Sequence, residues 1–162
     1  MNFEPAVLAL ADALRAKGWR LAAAESCTGG LIAAACTSVA GSSDWFERGF
    51  VTYSNEAKTE LLGVPAALIA AHGAVSEPVA RAMAEGALAK APVALAVAVT
   101  GIAGPGGAVP GKPVGLVHFA ACSRTRRIVH QAREFGDIGR TQVREASVAV
   151  ALAMLRELAE TE

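Results

Sequence analysis

The apolar run Pro92–Val99 has the length of a β-strand. It falls well short of the roughly 18 residues that a membrane-spanning helix requires, so it predicts a buried strand over Val93–Thr100. The chain as a whole is 53% hydrophobic and 19% charged, which is typical of a protein with a packed core. Because aromatic residues make up only 5%, that core must consist mostly of Ala, Val and Leu, and its elements must pack closely.

Length and charge restrict the number of domains and the kinds of partner. The 162 residues predict a single domain over 1–162. Fifteen basic and fifteen acidic side chains give a net charge of 0, which predicts neither a nucleic-acid partner nor a membrane partner. The first residues lack a signal-peptide pattern, and the odd set Cys27, Cys36 and Cys122 favours reduced thiols over disulfides or structural zinc. We therefore expect a cytoplasmic protein without a metal.

Local signals predict an alternation of helices and strands. The first helix, for example, has Pro5 in its first turn and Gly18 as its stop. The predicted helices are 5–18, 31–38, one from 54 that Gly63 and Pro65 interrupt, 76–88 and 141–158; the predicted strands are 19–24, 50–53, 93–100, 114–122 and 126–135. This order predicts an α/β fold, a three-layer sandwich with a mixed β-sheet and helices packed on it.

The segment Glu25–Gly30 (ESCTGG) lies between a predicted strand and a predicted helix. Such a turn exposes Ser26 near free backbone N–H groups, which can stabilise an oxyanion, so Ser26 is a candidate nucleophile. The alternative is structural: Ser26 or Thr28 caps the helix, and Gly29 and Gly30 form the turn. The local pattern leaves both interpretations open.

Cys27 and the histidines are the other candidates for nucleophile and base. No histidine lies near Cys27 in sequence to favour its thiolate, so this residue reads as a small buried hydrophobe. His118 lies in a predicted strand, His130 in a basic hairpin arm and His72 near a helix end, positions where histidine is commonly structural.

Lys58 is the alternative base. Burial lowers the pKa of a lysine, and a neutral lysine can accept the proton of a serine. Lys58 follows Tyr53 at the junction of a β-type run and a helix, a common position for site residues. A solvated helix lysine paired with a carboxylate is the structural alternative.

A second glycine-rich segment, Thr100–Gly107, follows the buried strand, so its backbone can approach an anion such as phosphate. A plain loop is the alternative. The segment 106–112 nearly matches a P-loop, but Pro113 occupies the Ser/Thr position that would bind magnesium, which argues against a nucleoside triphosphatase. Arg140 and Arg144 begin the final helix, where an arginine can bind a phosphate or carboxylate. Arg140 is the stronger candidate, and a solvated surface position is the alternative for Arg144.

Taken together, the segments 24–30, 53–58, 74–76, 100–107 and 112–115 closely resemble the CinA carboxy-terminal domain family. They occur in the family's order, and the resemblance covers nearly the whole chain. The family includes nicotinamide-nucleotide amidases, which hydrolyse nicotinamide mononucleotide to nicotinate mononucleotide and ammonia. Larger members carry an additional amino-terminal domain related to molybdopterin-binding proteins, and this chain resembles the stand-alone form.

The resemblance implies an α/β sandwich that uses no metal or organic cofactor and takes a small nucleotide as substrate. It implies Ser26 as nucleophile and Lys58 as base, with Tyr53 orienting the base or lining the ring pocket. The implied substrate-binding residues are Thr28, Gly29, Gly30, Thr100, Gly101, Gly104, Gly106 and Arg140. The segment Phe135–Arg140 departs from the family's Phe-x-Gly-Asp-Arg pattern, which leaves the role of Asp137 unassigned.

Two other functions stay open at this point. One is a nucleotide-binding regulatory protein, associated with competence or DNA damage, that binds without hydrolysis. The other is an amidase of a different substrate, because no residue pattern in the sequence indicates specific recognition of a pyridine ring. The Ala-rich final helix and the small-residue core favour a homo-oligomer, a dimer or a trimer.

Overall fold

A five-stranded sheet with helices on both sides makes up the computed structural model, which describes residues 1–162. The strands are β1 Leu21–Glu25, β2 Phe46–Val51, β3 Leu95–Gly101, β4 Leu116–Ser123 and β5 Ile128–Glu134. The helices are α1 Glu4–Lys17, α2 Leu31–Cys36, α3 Asn55–Leu62, α4 Ala66–His72, α5 Glu77–Lys90 and α6 Arg140–Thr161. None of these helices is long and apolar enough to cross a membrane.

The sheet is mixed, with the strand order β2-β1-β3-β4-β5. β1 pairs in parallel with both β2 and β3, whereas β3, β4 and β5 pair antiparallel. The carboxyl ends of β1, β2 and β3 therefore lie at one edge of the sheet. Ligands of α/β sheets commonly bind at that edge, because the loops that leave these strands converge there.

The two faces of the sheet carry side chains of different size. One face presents Leu95, Val97, Val99 and Phe119 to α1, α2 and α6. The other presents alanines 24, 96, 98 and 120 to α5, the helix of closest approach on that side. In α5 a Cβ on Gly86 would lie 2.0 Å from the Leu62 carbonyl oxygen, so α5 packs against the end of α3 at a distance that only glycine permits. The predicted three-layer α/β sandwich is confirmed.

One predicted element needs correction. The second strand was expected at 50–53 but runs Phe46–Val51, because it is an edge strand whose polar residues, such as Glu47 and Arg48, interrupt the apolar signal. The helix predicted from 54, with its interruption at Gly63 and Pro65, is the pair α3 and α4, and α4 ends at His72. A single 3-10 turn, Ser42–Asp44, precedes β2.

Candidate active site

The carboxyl edge of the sheet brings together side chains that are far apart in sequence. Ser26 follows β1, Tyr53 lies between β2 and α3, Thr100 is the last residue but one of β3, and Arg140 is the first residue of α6. They surround a cavity of about 200 Å³. The cavity is lined by Ser26, Cys27, Tyr53, Asn55, Lys58, Ala74, Val75, Thr100, Gly101, Ala103 and Arg140.

Lys58 extends from α3 to the Ser26 hydroxyl and is only 1% exposed. Its Nζ lies 3.0 Å from Ser26 Oγ, and the carbonyl oxygens of Thr52, Tyr53 and Ser54 lie 2.8, 3.3 and 3.4 Å from the same Nζ. All four neighbours are uncharged. Burial lowers the pKa of Lys58, because the ammonium form loses its hydration and gains no carboxylate in return.

Glu25 is the second fully buried ionisable residue beside Ser26. Its carboxylate accepts hydrogen bonds from the Thr28 hydroxyl at 2.6 Å and from the backbone N–H groups of Ile32 and Ala33 at 2.8 and 3.0 Å. These amides belong to the first turn of α2, where a carboxylate is favourable. Glu25 was not among the predicted site residues, although a charged residue that ends an apolar strand and precedes a helix was an available signal.

The turn after Ser26 presents backbone donors that lack protein partners. The Ser26 N–H donates to the Val99 carbonyl, and the Gly29 N–H donates to the Ser26 carbonyl. The N–H groups of Cys27, Thr28 and Gly30 donate to no protein acceptor. Free N–H groups beside a serine hydroxyl are the components of an oxyanion hole. The Thr28 hydroxyl is engaged by Glu25, so only the backbone of Thr28 is free to bind another group.

Cys27 and the histidines, the alternative nucleophile and bases, do not form a nucleophile–base pair in this cavity. Cys27 is 5% exposed, and burial raises the pKa of its thiol to about 11. His118 and His130 contact each other on β4 and β5, with Nδ1 and Nε2 2.9 Å apart, and His130 faces Glu77. No histidine lines the cavity, so Lys58 is the only side chain placed to accept the Ser26 proton.

Arg140 lines the cavity and contacts two of the loops around it. Its Nη1 donates to the Gly104 carbonyl at 2.9 Å, and its Nη2 donates to the Tyr53 hydroxyl at 3.0 Å. Thr100 Oγ1 donates to the Ala74 carbonyl at 3.0 Å. The guanidinium therefore joins two loops that follow different strands.

The glycine-rich loop after β3 also carries unpaired donors. The N–H groups of Ala103, Gly104, Gly106, Gly107 and Ala108 donate to no protein acceptor. Several such groups in one loop can bind an anion. Among the predicted substrate-binding residues, Thr100, Gly101 and Arg140 line the cavity, whereas Thr28, Gly29, Gly30, Gly104 and Gly106 lie outside its lining.

Arg144 is held by the turn after Ser26, so the solvated alternative does not apply to it. Its Nε donates to the Cys27 carbonyl at 3.1 Å and its Nη2 to the Thr28 carbonyl at 3.0 Å. Its position one helical turn after Arg140 was the only sequence signal that linked it to the site. Asn55, which also lines the cavity, was not singled out either.

A serine hydroxyl beside a buried lysine and free amide donors defines a class of site that supports nucleophilic acyl transfer. The CinA C-terminal domain profile matches residues 4–159 of this chain. The chain therefore belongs to the CinA C-terminal domain family, as the sequence motifs predicted.

Relatives of two lengths are similar to this chain. It is 52% identical over 145 residues to the nicotinamide-nucleotide amidohydrolase PncC of Escherichia coli K12, a match that covers 89% of this chain and 87% of that protein. It is 51% identical over 144 residues to a CinA-like protein of Syntrophobacter fumaroxidans, covering 89% of this chain. The match spans only 34% of the length of that longer protein.

Solved structures share the complete fold. The competence/damage inducible protein CihA from Agrobacterium tumefaciens has a TM-score of 0.95 and 48% identity, covering 98% of this chain and 96% of its own. A CinA superfamily protein from Klebsiella pneumoniae has a TM-score of 0.94 and 39% identity, covering 100% of both chains. The sandwich is thus the fold of the family.

Proposed function

We propose that this chain is a nicotinamide-nucleotide amidase, which hydrolyses nicotinamide mononucleotide to nicotinate mononucleotide and ammonia. The observation that carries the proposal is the 3.0 Å separation of Ser26 Oγ and the buried Lys58 Nζ. The full-length similarity to proteins named nicotinamide-nucleotide amidohydrolase supports the substrate.

Lys58 begins the reaction as a neutral amine. Its lone pair accepts the hydroxyl proton of Ser26, while its two N–H groups donate to the backbone carbonyls around it, such as that of Thr52. Ser26 Oγ then attacks the carboxamide carbon, and a C–O bond forms as the carbonyl electrons move to oxygen. The free N–H groups of Cys27 and Thr28 stabilise that oxyanion.

The oxyanion collapses when the C–N bond breaks. The Lys58 ammonium returns its proton to the departing nitrogen, ammonia leaves, and nicotinate stays bound to Ser26 as an ester. Water then attacks the ester while Lys58 accepts one of its protons, and the proton returns to Ser26 Oγ as the ester bond breaks. One amide and one water become one carboxylic acid and one ammonia, and the enzyme is regenerated.

The cavity is smaller than the roughly 300–1,000 Å³ that encloses a whole drug-sized ligand. At about 200 Å³ it takes the carboxamide and the ring to which it is attached. The ribose and phosphate extend outward, where the free N–H groups of the Ala103–Ala108 loop and the Arg140 guanidinium supply donors for an anion. Thr100 and Gly101 line the cavity and come directly before that loop in the chain.

The direct test measures ammonia and nicotinate mononucleotide released from nicotinamide mononucleotide. We expect turnover by the unmodified protein and its loss in Ser26→Ala. Ser43→Ala, a change at an exposed serine on the 3-10 turn, serves as the matched control and should retain full turnover. Turnover in Ser26→Ala within a few-fold of the parent would contradict serine catalysis.

A folded parent protein that binds the nucleotide and returns it unchanged would instead support the binding-protein alternative. Turnover of a different carboxamide, with none of the mononucleotide, would support the amidase chemistry and overturn the substrate. The homo-oligomer stays a prediction, which light scattering of the purified chain tests.

A further inference from the structure

The two arginines at the start of α6 contact different parts of the site. Arg140 binds the Gly104 carbonyl and the Tyr53 hydroxyl at the cavity wall. Arg144, one turn later, binds the carbonyls of Cys27 and Thr28, the two residues that follow Ser26. The two arginines therefore have separate tasks.

The Arg144 contacts constrain the peptide planes of the turn. In a trans peptide the C=O and N–H point in opposite directions, so binding the Cys27 carbonyl directs the Thr28 N–H away from the guanidinium. This N–H has no protein acceptor. The next peptide is fixed at both ends, because Arg144 binds the Thr28 carbonyl and the Gly29 N–H donates to Ser26.

Gly29 makes room for this arrangement. Its φ is +56°, and a Cβ there would lie 3.4 Å from Arg144 Nη2, against the guanidinium. The planar, two-pronged guanidinium matches two adjacent carbonyls in a way that the single ammonium of lysine does not. Its positive charge also lies beside the turn where the oxyanion develops.

We propose that Arg144 is a positioning residue for this reaction: it orients the turn after Ser26 so that the turn's free N–H groups meet the oxyanion. The proposal rests on the amidase function proposed above. It assigns Arg144 no contact with substrate, in contrast to Arg140.

The first test separates kcat from KM. The negative charge on oxygen develops only after the substrate has bound, in the transition state of the attack, so losing the orientation of the N–H groups lowers kcat and leaves KM unchanged. Removing one oxyanion donor outright costs about 10²–10³ in kcat, and we expect Arg144→Met to lose about 10–100-fold. Arg144→Lys keeps the charge but not the fork and should recover only part of the loss.

Guanidinium rescue distinguishes positioning from general damage. Low-millimolar guanidinium ion should restore part of the kcat of Arg144→Ala and should not change Arg156→Ala. Arg156 is the matched control, because it lies on the same helix and pairs with Glu160 at the surface. A rise in KM with kcat intact would assign Arg144 to substrate binding instead. Unchanged kcat and KM, or a loss that follows the unfolded fraction by circular dichroism, would also overturn the proposal.

A second readout does not depend on the natural substrate. A fluorophosphonate forms a bond to a serine Oγ, with fluoride leaving, and its phosphoryl oxygen occupies the oxyanion position. Labelling of Ser26, followed by intact mass, should slow in Arg144→Met and not in Arg156→Met. Equal rates would overturn the proposal, whereas slowed labelling by a protein without amidase activity would uphold the positioning role and reject the proposed substrate.

Discussion

Glu25 precedes Ser26 in the chain and Lys58 contacts its hydroxyl, and both side chains are buried, at 0% and 1% exposed. The Glu25 carboxylate replaces its lost hydration with three donors, two of them amides at the start of α2. The Lys58 amine faces carbonyl oxygens and one hydroxyl, with no carboxylate. Hydrogen-bond donors therefore stabilise the negative charge of the buried Glu25 carboxylate, whereas no anionic group stabilises a positive charge on the buried Lys58 amine.

This difference indicates a catalytic role for Lys58 and a structural role for Glu25. An unpaired buried charge destabilises a fold, and lysine escapes that cost by losing its proton. A carboxylate held by helix N–H groups instead stabilises the fold that contains it. We expect substitution of Lys58 to cost activity and substitution of Glu25 to cost stability.

The largest effect is expected for Lys58→Met. General-base catalysis contributes about 10²–10⁴-fold, so kcat/KM should fall by that factor. The free energy of unfolding at pH 7 should stay equal or rise, since methionine fills the same space without a charge. Steady-state kinetics and urea unfolding check both parts.

Lys90→Met, at the end of α5, is the control and should change neither quantity. A Lys58→Met protein that is markedly less stable and still active would reverse the comparison.

The next largest effect is expected in the pH dependence of kcat/KM, which should change about tenfold per pH unit below the pKa of Lys58. Only neutral Lys58 accepts the serine proton, so kcat/KM should rise with pH and level off above the lowered pKa of Lys58, at a pH below the ordinary 10.5. Between those two pKa values the unfolded chain binds more protons than the folded one, so the stability of the parent rises with pH relative to Lys58→Met. A flat profile from pH 6 to 10 would contradict this assignment.

Glu25→Gln should have its main effect on stability. A glutamine offers one carbonyl oxygen to the two α2 amides that the carboxylate now binds, so one N–H loses its partner. We expect the free energy of unfolding to fall by about 1–3 kcal/mol. Denaturant unfolding measures it, with Glu60→Gln on α3 as the control; equal stability of the two variants would show that Glu25 does not hold the turn.

The smallest effect is expected at Cys27, the neighbour of both buried residues. Its raised pKa, about 11, keeps the thiol neutral, so Cys27→Ala should retain activity within about threefold of the parent. Iodoacetamide should leave the rate unchanged for the same reason. Rapid inactivation by the reagent, protected by substrate, would identify a reactive thiolate.

The sequence predicted the layers of the fold more completely than the site. Apolar runs such as Val93–Thr100 mark strands directly, and the glycine turns mark where chemistry can occur. The contact between Ser26 and Lys58 could be expected only from the family resemblance, because a separation of 32 residues in sequence does not determine how far apart the two side chains lie in space. Structure was needed to connect them through the parallel pairing of β1 and β2.

Other features had weaker signals still. Arg144 reaches its carbonyl partners across 116 and 117 residues, a contact that depends on how α6 crosses the sheet. Glu25 looked like a polar end to a strand, because its partners become neighbours only when α2 turns back over it. A side chain whose role is to bind distant backbone groups is not part of a recognisable sequence motif. A side chain that lies in a glycine-rich loop is easier to recognise, because the glycines mark the loop.

The most direct test of the central claim is to trap the acyl-enzyme. The protein would be mixed with nicotinamide mononucleotide, quenched in acid within one turnover and analysed by peptide mass spectrometry. The account predicts a nicotinate mononucleotide ester on the peptide that carries Ser26, absent from Ser26→Ala and strongly reduced in Lys58→Met. Turnover at the normal rate with no modified Ser26 at any quench time would contradict it.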